Sequence, residues 1–79
     1  MKVKKLAAID IGSNAMRATF ATLSDDGHLK FFKNFRYPLR LGEDVFSIGK
    51  VSKQKIKLTE DAFQDLLFHM TKHNIHEVY

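Results

Sequence analysis

The sequence predicts a small α/β unit, a three-stranded antiparallel meander followed by one long helix. Three observations carry that prediction. An apolar run, Leu6 to Ile9, ends at Asp10 and resumes at Ala15 across the small polar turn Gly12-Ser13-Asn14. Ser24-Asp25-Asp26-Gly27 is a second strong turn signal between two strand-like runs. Ile56, Phe63 and Met70 recur at seven-residue spacing, with Leu66 and Leu67 beside them, which is a helical period. The expected strands cover about 3–11, 15–23 and 28–36, and the expected helix about 53–73.

Length and composition narrow the class. A chain of 79 residues holds one domain at most, and one this short buries a modest fraction of its surface. It has no cysteine, so a disulfide framework and thiolate metal sites are excluded. The basic start Met1-Lys2-Val3-Lys4-Lys5 precedes an apolar run too short for a secretory signal. No stretch approaches a membrane span, and a cytoplasmic soluble protein is expected. The net charge of +4 suits an anionic partner, but the excess is small and spread along the chain.

The elements follow in order. Lys2 to Lys5 reads as the solvated start of a strand rather than a basic arm for RNA. At the turn, Gly12 can take a positive φ and Asn14 tolerates the left-handed region, which makes a plausible hairpin tip. Such a tip leaves backbone N–H groups pointing outward, and successive N–H groups form an anion-binding concavity. Asp10 beside it is a ready oxygen ligand for hydrated Mg²⁺. The same local pattern also suits a plain hairpin in any small α/β domain.

In the return strand, Met16, Ala18, Phe20 and Thr22 share one face. Arg17, Thr19, Ala21 and Leu23 share the other, so both faces are expected to meet protein. Arg17 either snorkels to water or offers a bidentate fork to phosphate. Leu29 to Arg36 reads as a third strand, with Leu29, Phe31, Lys33 and Phe35 on one face and Lys30, Phe32, Asn34 and Arg36 on the other. Basic residues between phenylalanines can form a stacking platform for single-stranded nucleic acid. A half-buried outer strand is the simpler reading, and nucleic acid is not expected.

Tyr37-Pro38 closes that strand. Residues 39–51 read as a loop anchored by Phe46, Ile48 and Val51, with Arg40 either on its surface or facing the anion-binding cleft. Ser52 can cap the helix, and Thr59-Glu60-Asp61 is a second possible start. Phe63 and Met70 are expected in the core. His69 and His73 have the i,i+4 spacing of metal-binding helices but lack an evident third ligand; they suit the negative end of a helix. Asn74 is a helix stop, and Ile75 to Tyr79 opens another strand. Neither Glu43 nor Asp44 has the context of a general base.

Asp10-Ile11-Gly12-Ser13-Asn14 followed by Arg17 resembles the first phosphate motif of the exopolyphosphatase/guanosine-pentaphosphatase (Ppx/GppA) phosphohydrolases. That family belongs to the actin, sugar-kinase and heat-shock ATPase superfamily. Sugar kinases and chaperones usually carry Gly-Thr or Gly-Gly-Thr at this turn, whereas Ser-Asn with an arginine three residues later points to the phosphohydrolase branch. Arg40-Leu41-Gly42 extends the likeness. Ala15 departs from it, standing where the family often has a hydroxyl residue, and Met16 and Ala18 replace commoner strand residues.

The resemblance implies the N-terminal part of an actin-like (ribonuclease H-like) domain, truncated. It implies phosphate binding by Gly12, Ser13, Asn14 and Arg17, and a metal, Mg²⁺, at Asp10 directly or through water. The implied substrate is inorganic polyphosphate or guanosine pentaphosphate. The family's catalytic glutamate, second phosphate loop and second lobe would lie beyond Tyr79. No catalytic residue is then expected within this chain, and the isolated chain is expected to be inactive. One helix covers one sheet face, so self-association is expected as well. The alternative is a small basic nucleotide- or RNA-binding module without catalysis.

Overall fold

A computed structural model describes residues 3–79 of the chain. Lys2, part of the basic lead singled out above, lies outside the described residues. The element order is β1 (Val3–Ile11), β2 (Met16–Ser24), β3 (Leu29–Tyr37), α1 (Leu41–Ile48), α2 (Lys53–Lys72) and β4 (Glu77–Val78). The sheet runs β3-β2-β1-β4. β1, β2 and β3 form the antiparallel meander, and β4 pairs parallel to β1 through Leu6↔Glu77 and Ala7↔Val78. The architecture is therefore mixed α/β, with the three-stranded meander the sequence predicts. No described helix is long and apolar enough to cross a membrane.

α2 lies across one face of the sheet. Ala62, Leu66 and Met70, four residues apart, are its buried positions, and they pack with Ala7, Met16, Ala18 and Phe20. Four-residue spacing puts these side chains on a single helical row facing the strands. Phe63 was expected in that core but is 38% exposed, and Ile56 and Leu67 are exposed too. The seven-residue stripe drifts off the contact row, and of its three residues only Met70 is buried. Ser52 Oγ accepts the Lys55 N–H at 3.2 Å, which caps the helix start. Asn74, at φ 57°, ends the α2 segment in the left-handed region.

Two further expectations are corrected. Residues 41–48 are a helix, not a loop. Glu43 and Asp44 sit in its first turn, where negative charge is favoured, and Gly49 at φ 75° stops it by donating to the Val45 carbonyl at 3.0 Å. Phe46 and Ile48 anchor nothing among the described residues, being 85% and 56% exposed; Leu39 and Leu41 are the residues that reach the core. In β3 the alternation breaks. Phe20 pairs with Lys33 and Ala21 with Phe31, so Phe32 is the extra residue of a bulge. Phe32 and Phe35 thereby both reach Phe20 on the α2 face, at ring-centroid distances of 6.1 and 5.0 Å.

Candidate functional site

The β1–β2 hairpin carries the residues of interest. Its tip is closed by the Gly12 N–H donating to the Ala15 carbonyl at 2.9 Å. That bond uses Ala15 in the turn, so β2 begins at Met16. Neither Gly12 nor Asn14 has a positive φ. The expected left-handed geometry is absent because a four-residue turn closed in this way reverses the chain without it. The Gly12 N–H is also internal to the turn and does not point outward.

The start of α1 braces the tip. Arg40 N–H donates to the Asn14 carbonyl and Gly42 N–H to the Ser13 carbonyl, both at 2.8 Å. This engages the carbonyls of the turn's two central residues. The N–H groups of Ser13 and Asn14 have no protein acceptor among the described residues. A turn whose carbonyls are bonded and whose N–H groups are not presents a net positive face. Gly42 is required for the contact, since a Cβ there would lie 2.9 Å from Ser13 Cβ and 3.3 Å from the Ser13 carbonyl oxygen. Arg40 holds an unusual φ of 52° for a non-glycine residue at this junction, and its side chain pairs with Glu43 at 3.5 Å.

Asp10, Gly12, Ser13, Asn14 and Arg17 line one hollow of about 230 Å³, together with Ala15. The sequence-predicted phosphate and metal residues are thus brought together at a single place. Asp10 and Arg17 are direct cross-strand partners, on the sheet face opposite α2. Both are exposed, and neither forms an ion pair among the described residues. A Cβ on Gly12 would meet only the Ala15 carbonyl oxygen, at 3.6 Å. The fold itself therefore does not demand glycine there, and its missing side chain leaves the hollow open.

Other polar groups have structural work. Asp44 accepts the Ser52 N–H at 2.9 Å, and the Ser52 hydrogen bonds hold its carboxyl below the usual range. His69 lies against Phe35, at 4.6 Å between ring centroids, and 3.6 Å from Asp65, whose carboxylate accepts the Tyr37 hydroxyl. His73 packs against Phe20 and Phe32. The two histidines are engaged in separate aromatic contacts, and no group of three metal-ligating side chains occurs among the described residues. A hollow of about 570 Å³ between α1 and α2 is lined by Leu41, Val51, Ile56 and Phe63 together with Thr59, Glu60 and Gln64, and its surface is predominantly apolar. The sequence places Arg36 on a basic strand but not beside Arg17; the register of β2 and β3 makes the two arginines direct cross-strand partners.

No family sequence model matches the chain, and no curated protein matches it. Solved structures do. The Aquifex aeolicus member of the Ppx/GppA family superposes with a TM-score of 0.89 at 25% identity, over 98% of this chain and 25% of that one. A second structure of an Aquifex aeolicus PPX-GPPA enzyme gives 0.85 at 26% identity, with the same coverage. An exopolyphosphatase from Cytophaga hutchinsonii shares the fold at 0.83 and 16% identity, over 95% of this chain and 24% of that one. The chain spans about a quarter of the length of the structures it matches. In fold and in extent, it corresponds to an N-terminal segment of the actin-like domain of the Ppx/GppA exopolyphosphatase family.

Proposed function

We propose that the β1–β2 hairpin is a phosphate-binding element, and that it serves a phosphohydrolase removing terminal phosphate from inorganic polyphosphate or guanosine pentaphosphate. One observation carries the reading. The tip's carbonyls are bonded to the start of α1, while the Ser13 and Asn14 N–H groups border the same hollow as Asp10 and Arg17. Phosphoryl oxygens would accept from those two N–H groups and from the Ser13 hydroxyl. Arg17 would add a charge-assisted, bidentate contact. Open space at Gly12 would let the phosphate approach the backbone closely.

Asp10 fits a magnesium ion, because it is one exposed carboxylate without a protein partner among the described residues. Mg²⁺ usually keeps several waters and is held by one or two carboxylates plus substrate phosphates. Bound there, it would supply charge neutralisation for the phosphoryl oxygens. Asp10 would orient its hydration shell, Ser13 and Asn14 would fix the phosphoryl group, and Arg17 would stabilise charge upon it.

Titration with tripolyphosphate and Mg²⁺, followed by amide NMR, tests the reading. The Ser13 and Asn14 signals should move most, and Asp10→Asn should weaken the Mg²⁺ dependence. Shifts centred on Lys30 and Lys33 would overturn it. We also propose that the 79-residue chain self-associates when isolated. Ile56, Phe63 and Leu67 leave a second apolar stripe of α2 exposed among the described residues, beside the β4 edge. Sedimentation at micromolar concentration should show a dimer or larger; a 9.1 kDa monomer would refute this.

A further inference from the structure

Asp10, Arg17 and Arg36 form one row across the sheet. The register pairs Asp10 with Arg17 and Arg17 with Arg36, so all three side chains leave the sheet on the face away from α2. The row lies one residue from the end of β1 and one residue into β2, beside the hairpin tip. The β3 bulge is farther along, at Phe32, and does not disturb this pairing.

Two like charges directly opposite each other destabilise a sheet. Arg17 has Asp10 on its other side, but Arg36 stands on an edge strand with no such partner. Its diagonal neighbours are Ala15 of the turn and Thr19 of β2, and Thr19 is hydrogen-bonded to Asn34 at 2.9 Å. Neither arginine forms an ion pair among the described residues, and both are exposed. The row thus carries an uncompensated positive charge one strand spacing, about 4.8 Å, beyond the guanidinium already facing the hairpin. Two planar guanidinium groups side by side suit adjacent phosphoryl groups, each able to take a bidentate contact.

We propose that Arg17 and Arg36 form a two-guanidinium clamp for the phosphoryl group next to the one seated on the hairpin, so that the site favours phosphoanhydrides over orthophosphate. The clamp rests on the phosphate reading of the hairpin and deepens it. The anion's second phosphoryl group is the feature recognised, and no contact to a base is needed.

Binding of orthophosphate and of pyrophosphate, each with Mg²⁺, should be measured by calorimetry and amide NMR for the parent chain, Arg36→Gln and Arg36→Lys. Arg36→Gln should weaken pyrophosphate about tenfold, the usual size of one lost charge-assisted hydrogen bond. Orthophosphate affinity should stay within about twofold, and Arg36→Lys should restore part of the loss. The variant should melt no lower than the parent, because a like-charge contact is relieved. Equal loss for both anions, or no loss for either, would overturn the clamp. So would tighter Arg36-dependent binding of a random oligonucleotide than of pyrophosphate. If Arg36→Gln weakens pyrophosphate while the Ser13 and Asn14 amides stay still, Arg36 binds the anion away from the hairpin, and both the hairpin reading and the clamp fail. If those amides move and Arg36→Gln changes nothing, the hairpin reading stands and the clamp alone fails.

Discussion

The two ends of the sheet are both cationic, and they are built differently. At the hairpin end, Arg17 lines a hollow with Ser13 and Asn14, whose backbone N–H groups have no protein acceptor among the described residues, and Arg36 lies opposite Arg17 on β3. At the far end, Lys5, Lys30 and His73 line a hollow of about 380 Å³ with Thr22 and Phe32. There the charge is engaged by the protein itself. Lys5 Nζ donates to the His73 carbonyl at 3.1 Å, at the C-terminus of α2, where the helix dipole favours a cation. The larger hollow thus holds the lysines, and the smaller one holds the unbonded amides. Positive charge alone does not distinguish an anion site from a helix terminus; the free donors do.

Glycine substitutions should break this contrast most sharply. Gly42→Ala places a Cβ 2.9 Å from Ser13 Cβ, within the brace of the hairpin. Overpacking of that kind costs about 1–3 kcal/mol, and the displaced tip should lose phosphate affinity as well. Gly27, in the far-end turn, has φ +86° and nothing within 4 Å of a would-be Cβ. Gly27→Ala should cost about 1–2 kcal/mol through backbone strain alone and leave phosphate binding intact. Denaturant melts and phosphate titration of the two variants make the comparison. Equal damage to binding by both would mean that the ends are not independent.

Much of this contrast was legible in the sequence. Asp10 through Arg17 announced the hairpin because turn chemistry is local: small polar residues between two apolar runs leave few alternatives. Ser52 and Asn74 marked the α2 boundaries for the same reason. The misreadings needed tertiary information. Which α2 row faces the sheet depends on how the helix lies, and Ala62, being small, gave little hydrophobic signal beside Phe63. The eight residues of α1 were too few to show a period. The bulge at Phe32 reversed the faces of β3, and no local pattern requires a bulge. Arg36 was visible as a basic strand residue, but its place opposite Arg17 follows only from register.

The smallest expected effect separates the ends by pH. His73 sits in the far-end cluster, and its imidazole is held below the ordinary value of 6.5, first by desolvation and then by Lys33, Lys5, Lys72 and His69. The sign follows from linkage. The unfolded chain takes up this proton at higher pH than the folded one, so the group's contribution is fully present above about pH 6.5 and is lost as pH falls through the folded pKa. Asp26 and Asp44 are lowered as well, by hydrogen bonds from Ser24 and His28 and from Ser52, but their contributions disappear only below about pH 4. Stability should therefore fall in two steps on acidification, the first belonging to His73. Lys5→Met should shrink the first step without abolishing it, because desolvation remains the larger cause. High salt should shrink it in the same direction, since the lysines act through screened solvent. Phosphate affinity at the hairpin should be unchanged in Lys5→Met at pH 7. A first step that survives His73→Gln undiminished would show that another group titrates there, and a hairpin that weakens with Lys5→Met would join the two ends into one electrostatic unit.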